Sequence, residues 1–483
     1  MTNGAAIFDP YSSASMLLDD LAARRISATA LLEAHVTRFQ KLNPQLNAVI
    51  KTDLPRARET AARLDRDASN GKIVGPLHGL PMTVKDTFDV NGLPAVAGAP
   101  EYADRSTRVE DAAIVKRLKD AGAVIWGKTN TPYLAGDCQT YNSVYGVTNN
   151  PYDPKLTPGG SSGGAAAALA SGVTPLEVGS DIGGSLRTPA HFCGVCSLKP
   201  SYGRISVAGH IPPAPGALSA RDLNVAGPMA RNVADLKRLF SVIADTSTGD
   251  NASPAPLNMR RLAIWSEDDA FPLSQACKEA VKRASDAARD AGAQTAKAKP
   301  DIDGAELLDI YMQLLIATLA GDLPPAMLGA MEAARPLAKL FVGPRVFTRA
   351  KWAVYSTARY TDWLKADEAR AQMKSRVARF FQSFDAIIAP VTPTPAFAHM
   401  HEGDLLSRRL LVDGAREPYG SFLCWMSLAT ACHLPAAVIP AGKAGNGFPV
   451  GVQIIGAEGE DEKILDIAEA LERQMGGFQA PNL

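Results

Sequence analysis

Two glycine-rich stretches carry serines that could act as nucleophiles. Ser161 and Ser162 lie between two glycine pairs in GGSSGG, directly before an alanine-rich segment. Ser185 follows Gly183 and Gly184 in GSDIGGSLRTP. A serine hydroxyl becomes an effective nucleophile only when a positioned base removes its proton. These residues point to hydrolytic chemistry, but by themselves they leave open which serine attacks.

The GGSSGG stretch contains two overlapping matches to G-x-S-x-G, the nucleophile elbow of α/β-hydrolases. That elbow requires a strand that runs directly into the serine. The preceding residues include Pro151, Pro154 and Pro158, which are incompatible with a central strand. The seven histidines are scattered along the chain, and none stands out as a triad partner. The pattern therefore disfavours an α/β-hydrolase.

The stretch GAVIWGKT, residues 122–129, matches the phosphate-loop pattern G-x-x-x-x-G-K-[ST]. A phosphate loop follows a strand and precedes a helix, whereas this stretch follows a helical pattern and is itself apolar. It predicts a buried strand rather than a nucleotide site.

The stretch HFCGVC places His191 close to Cys193 and Cys196. A structural zinc site uses four ligands, commonly from two such pairs, and the chain offers no second pair. We therefore predict buried thiols and no metal site.

Lys85 in GLPMTVKD is a third feature beside the GGSSGG stretch and the stretch that carries Ser185. Each of the three, taken singly, has an ordinary explanation. A lysine is usually solvated, glycines form turns, and a serine often caps a helix. Together they resemble the amidase signature family. The stretches TPGGSSGG and GSDIGGSLRTPAHFCGVCSLKPSYG follow the family signature almost without a break. GLPMTVKD and FPVGVQIIG match its lysine strand and its C-terminal strand, and the resemblance is weakest over residues 262–384.

The resemblance implies amide hydrolysis by a Ser–cis-Ser–Lys triad. Carried over by position, Ser185 is the nucleophile, Ser161 is the serine with the cis peptide bond, and Lys85 is the base. The resemblance also implies an oxyanion hole made by four consecutive backbone amides, those of Ile182, Gly183, Gly184 and Ser185.

These roles agree with the residue types. Where no histidine is available, a lysine removed from water is the alternative base. Burial disfavours the ammonium and lowers the lysine pKa, so that part of Lys85 is neutral near pH 7. Ser161 then relays the proton of Ser185 to Lys85, and the reaction requires no metal or cofactor.

The substrate is suggested by two loops. The family's acyl-site segment places Tyr133, Leu134, Ala135 and Gly136 as candidate substrate-binding residues. AGHIPPAPG, residues 208–216, resembles a loop of bacterial aryl acylamidases and urethane-cleaving amidases. The resemblance therefore implies anilides, aryl carbamates or both, with esterase side activity. Two alternatives remain open: the amidase subunit of a glutamine-dependent tRNA amidotransferase, and an inactive binding protein of the same fold.

Composition restricts the partners and the location. Among 483 residues, 50 basic side chains balance 50 acidic ones, which argues against nucleic acid or an anionic membrane as a partner. We expect a small-molecule amide or carbamate as the partner, and a monomer or homodimer. No window reaches the roughly 18 apolar residues of a membrane span, and the N-terminus lacks a signal-peptide pattern. We expect a cytoplasmic protein whose six cysteines are reduced and mostly buried.

The elements that must position these residues predict an α/β fold. Apolar spacing predicts two short N-terminal helices that end at Asn43 and Pro44. The strand, helix and strand pattern around GLPMTVKD and AVIWGKT predicts a parallel or mixed sheet. We expect a large, mixed, mostly parallel twisted sheet flanked by helices, the amidase signature fold, with a helical insertion. The predicted segments are an N-terminal helical layer at 1–68, a signature core at 69–261, the insertion at 262–384 and C-terminal strands and a helix at 385–483.

Overall fold

A computed structural model describes residues 8–245, 255–445 and 447–483. Residues 1–7 of the predicted N-terminal layer and residues 246–254 of the predicted core lie outside the described residues. The helices are α1 (Ala14–Ala22), α2 (Ala28–Leu46), α3 (Leu54–Ser69), α4 (Ala113–Asp120), α5 (Gly163–Ala170), α6 (Arg187–Cys193), α7 (Val233–Ile243), α8 (Gln275–Asp290), α9 (Gly304–Ala320), α10 (Pro325–Leu340), α11 (Arg349–Ser356), α12 (Tyr360–Phe380), α13 (Ser427–Ala431) and α14 (Asp461–Met475).

The strands fall into two larger sheets and two short hairpins. They are β1 (Val49–Thr52), β2 (Pro81–Lys85), β3 (Val124–Thr129), β4 (Tyr141–Asn142), β5 (Gly146–Val147), β6 (Leu176–Asp181), β7 (Cys196–Lys199), β8 (Val225–Ala230), β9 (Arg261–Ile264), β10 (Gln294–Lys297), β11 (Ala386–Pro390), β12 (Arg409–Val412), β13 (Ala415–Pro418), β14 (Ala436–Lys443) and β15 (Pro449–Ile455). The large sheet has eight strands in the order β10-β9-β11-β15-β14-β7-β8-β6, and a three-stranded sheet has the order β1-β3-β2.

The large sheet is mixed and carries helices on its faces, as predicted, but the expectation that it is mostly parallel is wrong. Within this sheet, only the two pairings made by β9, with β10 and β11, are parallel. The pairings of β11 with β15, β15 with β14, β14 with β7, β7 with β8 and β8 with β6 are antiparallel. The short loop between β14 and β15 allows only an antiparallel pair, because parallel neighbours need a longer crossover.

The first helices pack an apolar face onto the core. Ser13 and Ser27 cap α1 and α2 by accepting hydrogen bonds from backbone amides of the first turn. Helix α2 extends through Pro44 to Leu46, beyond the predicted end. Pro44 lies in the last turn of α2. The helix ends where the side-chain oxygen of Asn43 accepts hydrogen bonds from the backbone amides of Ala48 and Val49.

The segment at 262–384, predicted as a helical insertion, is not helical throughout. It begins with β9 and β10, which form one edge of the large sheet. Helices α9 to α12 follow, and buried side chains of α9, among them Tyr311 and Leu314, belong to the same hydrophobic cluster as Trp425. The boundaries at 68, 261 and 384 stay predictions.

Other motifs of the sequence have structural roles. The stretch that matches a phosphate loop contains β3, as expected, and Lys128 of this strand is buried in an ion pair with Asp86 at 3.2 Å. All six cysteines are buried, as expected. The described residues contain no helix long and apolar enough to cross a membrane. They also contain no group of three or more His, Cys, Asp or Glu side chains placed to hold a metal ion.

Candidate active site

Lys85 ends strand β2 and is fully buried. Its Nζ donates to Ser161 Oγ at 2.7 Å and lies 3.0 Å from Ser180 Oγ. Burial lowers the pKa of Lys85 to about 7, because an ammonium without water is costly, although the charges of Asp181 and Glu177 partly oppose this shift. Near pH 7, Lys85 is therefore a neutral amine in a substantial fraction of the molecules, and it lies directly beside a serine hydroxyl.

Ser161 lies in the loop that precedes α5. The peptide bond between Gly160 and Ser161 is cis. A side chain at Gly160 would place a Cβ 2.7 Å from the carbonyl oxygens of both Asp137 and Gln139, so only glycine fits there. The loop is thus held tightly against the segment that follows β3.

Ser162 has a different environment from its neighbour. Its backbone amide donates to the Ser185 carbonyl oxygen at 3.1 Å, and its hydroxyl donates to the Ser180 carbonyl oxygen at 3.4 Å. Ser162 therefore ties the two serine-bearing loops together and faces the protein interior rather than a cavity.

Ser185 lies on a tight turn between β6 and α6. Gly184 has a φ of +92°, and a Cβ at this position would lie 1.6 Å from Met426 Sδ, so the turn requires glycine. The carboxylate of Asp181 accepts the amides of Gly184 at 2.8 Å and of Leu186 at 3.1 Å. The end of the strand thereby fixes the turn that carries Ser185.

A fully buried ion pair supports this turn. Arg187 lies 3.0 Å from Asp181 and also donates to Thr430 Oγ1 at 2.7 Å. Burial by itself would raise the pKa of Asp181, but the charge and hydrogen bonds of Arg187 outweigh it and lower that pKa. The pair is therefore charged and links the turn to α13.

The predicted oxyanion hole needs one correction. The Gly184 amide is already bonded to Asp181, so it is not available to a substrate oxygen. Ile182, Gly183 and Ser185 instead line a large cavity, and the structure shows no acceptor for their amides among the described residues.

Tyr311 orients one of these amides. Its hydroxyl donates to the Ile182 carbonyl oxygen at 3.0 Å. The carbonyl and the amide hydrogen of one trans peptide point in opposite directions, so this bond fixes the direction of the Gly183 N–H. Tyr311 was not predicted from the sequence, since it lies on α9, in the part of the chain where the resemblance is weakest.

Two cavities meet at Ser185. The larger has an empty volume of about 830 Å³, including its open mouth, and its walls are mostly apolar. We call it the apolar cavity; besides the residues already named, its lining includes Met312, Leu315, Ile316, Leu319, Val346, Phe347, Trp352, Phe422 and Leu423.

The second cavity, of about 410 Å³ including its open mouth, is more polar, and we call it the polar cavity. Ser161 and Ser180 line it together with Ser185, so both candidate triad serines border one space. Its other lining residues include Leu134, Ala135, His210, Pro212, Arg221, Asn224 and Asp322.

Three of the four candidate substrate-binding residues line the two cavities, and the fourth does not. Leu134 and Ala135 line the polar cavity, and Ala135 and Gly136 line the apolar cavity. Tyr133 lines neither; it is 49% exposed, and its hydroxyl donates to Glu101 at 2.9 Å. The predicted segment lies at the site, but the side chain of Tyr133 points away from it.

Ser180, Asp181 and Arg187 lie within the signature stretch, but no role was predicted for them from the sequence. The ion pair could have been predicted, because Asp181 and Arg187 carry opposite charges on either side of the two glycines. Ser180 gave no such signal, since a serine at the end of a buried strand is ordinary.

Comparisons with known proteins identify the family of the chain. Residues 30–465 match the model of the protein family described as Amidase. The chain is 33% identical over 494 residues to a Glutamyl-tRNA(Gln) amidotransferase subunit of Heliobacterium modesticaldum, covering 96% of this chain and 97% of the relative. It is 32% identical over 464 residues to the Indoleacetamide hydrolase of Bradyrhizobium diazoefficiens, covering 93% and 84%.

Among solved structures, a bacterial aryl acylamidase of the amidase signature family superposes with a TM-score of 0.78 and 24% identity, covering 96% of each chain. At this identity the likeness shows the shared fold. The family match and the curated relatives carry the assignment: the chain belongs to the amidase family and is a hydrolase of that family.

Proposed function

We propose that this member of the amidase family hydrolyses aryl amides and aryl carbamates through an acyl-enzyme on Ser185. The observation that carries the proposal is the hydrogen bond of 2.7 Å from a fully buried Lys85 to Ser161, in the wall of a cavity that Ser161 shares with Ser185. Such an arrangement supplies a base, a relay and a nucleophile without a histidine.

The first half of the reaction forms the acyl-enzyme. Ser185 Oγ attacks the carbonyl carbon while its proton passes to Ser161, which gives its own proton to neutral Lys85. The amides of Ile182, Gly183 and Ser185 stabilise the oxyanion, and one such donor is typically worth about 3–4 kcal/mol of barrier. The C–N bond then breaks as Ser161 returns a proton to the leaving nitrogen.

The second half releases the acid. Water loses a proton along the same path and attacks the acyl carbon, and Ser185 leaves with the returned proton. A carbamate differs at the acyl carbon by one extra oxygen, so the same groups act on it. When the C–N bond of a carbamate breaks, the acid released is a carbonic acid monoester, which loses carbon dioxide to give the alcohol.

The apolar cavity supports an aromatic substrate. Its lining includes Trp352, Phe347 and Phe422, and an aromatic ring gains free energy by leaving water for such a surface. The relative named Indoleacetamide hydrolase takes its name from an amide that carries an aromatic ring. We assign the aromatic group of the substrate to this cavity.

The test uses two serine variants and one substrate panel. Ser185→Ala should lower kcat at least about a thousandfold and abolish labelling by a fluorophosphonate, because the nucleophile is lost. Ser162→Ala is the matched control, and it should retain labelling and most of the activity. Equal damage by both substitutions would contradict the assignment of the nucleophile.

The panel contains an anilide, an aryl carbamate, an aliphatic amide, an aryl ester and glutamine. We expect turnover of the first two and slower turnover of the aliphatic amide and glutamine. Ammonia release from glutamine alone would favour the amidotransferase function for which one relative is named. Absence of both labelling and turnover would favour a binding protein of the same fold.

A further inference from the structure

His210 is a buried histidine next to the proposed reaction centre. It belongs to the 208–216 loop, where the peptide bonds before Pro212 and Pro213 are both cis. Its ring packs edge-on against Phe88, with centroids 5.0 Å apart. His210 is only 6% exposed, and it lines the polar cavity with Ser161, so its position is fixed on the side of the relay serine.

The hydrogen bonds of His210 define its tautomer. Nδ1 lies 2.8 Å from the Pro212 carbonyl oxygen, which can only accept, so Nδ1 carries the hydrogen. Burial lowers the pKa of His210 to about 3, and the nearby Lys85 acts in the same direction, so the ring is neutral at pH 7. Nε2 is therefore an acceptor, and it is buried without a partner among the described residues.

A buried acceptor without a partner is unfavourable unless a ligand completes it. In the reaction above, the leaving nitrogen must lie near Ser161 to receive its proton. The N–H of a secondary amide points away from its carbonyl oxygen and hence away from the oxyanion amides. The substrate thus brings one donor to the side of the site where His210 and Ser161 lie.

We propose that Nε2 of His210 accepts a hydrogen bond from the N–H of the scissile amide or carbamate. This inference rests on the proposed function and adds a substrate-binding residue to it. As the nitrogen becomes tetrahedral, a hydrogen bond on its N–H turns its lone pair toward Ser161, which must protonate it. An ester has no N–H, so His210 favours amide cleavage over ester cleavage.

The test compares an anilide with the phenyl ester of the same acyl group. His210→Phe keeps the ring and its packing on Phe88 but removes the acceptor. We expect kcat/KM for the anilide to fall about tenfold while the ester changes less than about twofold. His210→Gln, which restores an acceptor, should recover part of the anilide activity, and the N-methyl anilide should be indifferent to both substitutions.

His35 provides a matched control. It is also fully buried, and its ring packs edge-on against Phe8 with centroids 5.0 Å apart, but it lines neither cavity. His35→Phe should leave the ratio of anilide to ester activity unchanged. Thermal unfolding of each variant shows whether the fold is retained.

Two results would overturn the role of His210: an equal fall for anilide and ester in His210→Phe, or no change in either. Both results would leave the hydrolase proposal intact. If the unmodified protein cleaves neither substrate, the proposed function itself fails. If His210→Phe does not fold, His210→Gln together with the N-methyl anilide still gives the ratio that decides the question.

Discussion

Burial of Lys85 destabilises its ammonium and thereby favours the neutral amine, the form that the proposed base requires. The side chain is fully buried, and its partners are two serine hydroxyls rather than a carboxylate. A lysine in water, with a pKa near 10.4, would be almost entirely charged at pH 7 and could not accept a proton from Ser161. The same desolvation that opposes folding thus provides the neutral amine that the reaction needs.

The pH profile should show this titration. Burial places the pKa of Lys85 at about 7, and only the deprotonated form is active, so kcat/KM should rise as pH increases through about 7 and level off above it. The measurement is kcat/KM for an anilide between about pH 5.5 and 9. A steady fall across this range in a protein that remains folded would contradict the role of Lys85.

Lys199 is a control that the chain itself supplies. It is also buried, and burial, with the charge of Arg187, lowers its pKa to about 7, but its Nζ donates to the Pro200 carbonyl oxygen. Lys199→Met should keep the rising limb near pH 7, whereas Lys85→Met should remove the activity. Loss of the limb in Lys199→Met would mean that the titration belongs to Lys199 and not to Lys85.

The residues of the proposed triad were named through the resemblance of their glycine- and serine-rich stretches to the family signature, and such a resemblance depends only on local sequence. The amide of Gly184 was misassigned because its availability depends on the side chain of Asp181, whose orientation no spacing reveals. Tyr133 was assigned to substrate binding because its segment lies at the site. The direction of its side chain, whose hydroxyl donates to Glu101, could not be predicted from the sequence either.

At the scale of elements, the turn between β6 and α6 determines where Ser185 lies. Helix α6 has no side-chain cap of its own at its first residue, and the carboxylate at the end of β6 binds two amides of the turn instead. The directions of most strands in the large sheet were predicted wrongly. The pattern of strand, helix and strand was present, but the sheet joins strands from distant segments, and their pairing is set by tertiary packing.

Breaking the ion pair at this turn should affect both stability and rate. Asp181→Asn leaves the buried guanidinium of Arg187 without a counter-charge, which typically costs about 3–5 kcal/mol. We expect a large fall in the free energy of unfolding and a fall in kcat, because the turn that carries Ser185 loses a charged acceptor. Chemical denaturation and anilide turnover measure the two effects.

The exposed pair between Asp20 and Arg25 gives the comparison. Its atoms lie 2.6 Å apart, but both side chains are more than a third exposed, and such pairs are worth about 0–1 kcal/mol. Asp20→Asn should change neither stability nor rate appreciably. If Asp181→Asn behaved in the same way, the turn would not depend on the ion pair.

At the scale of the whole molecule, the site lies where distant parts of the chain meet. The proposed base comes from β2, the proposed relay from the loop before α5, and the proposed nucleophile from the turn after β6. The apolar cavity adds α9, the segment after α10 and the residues before α13, which lie mostly in regions that carry no signature. The residues of the proposed triad could therefore be named from the sequence, while the cavity walls that would contact the substrate could not.

Filling the apolar cavity should alter selectivity without altering chemistry. Val346 lines this cavity and is none of the three triad residues, and Val346→Trp would occupy part of its volume. We expect kcat/KM for a bulky aryl amide to fall about tenfold or more, with a much smaller change for a small aliphatic amide. Leu337→Trp on the exposed face of α10, where Leu337 is 62% exposed, is the control and should leave both substrates unaffected. An equal fall for the bulky and the small amide would mean that the aromatic group does not bind in this cavity, since a steric block should discriminate by size.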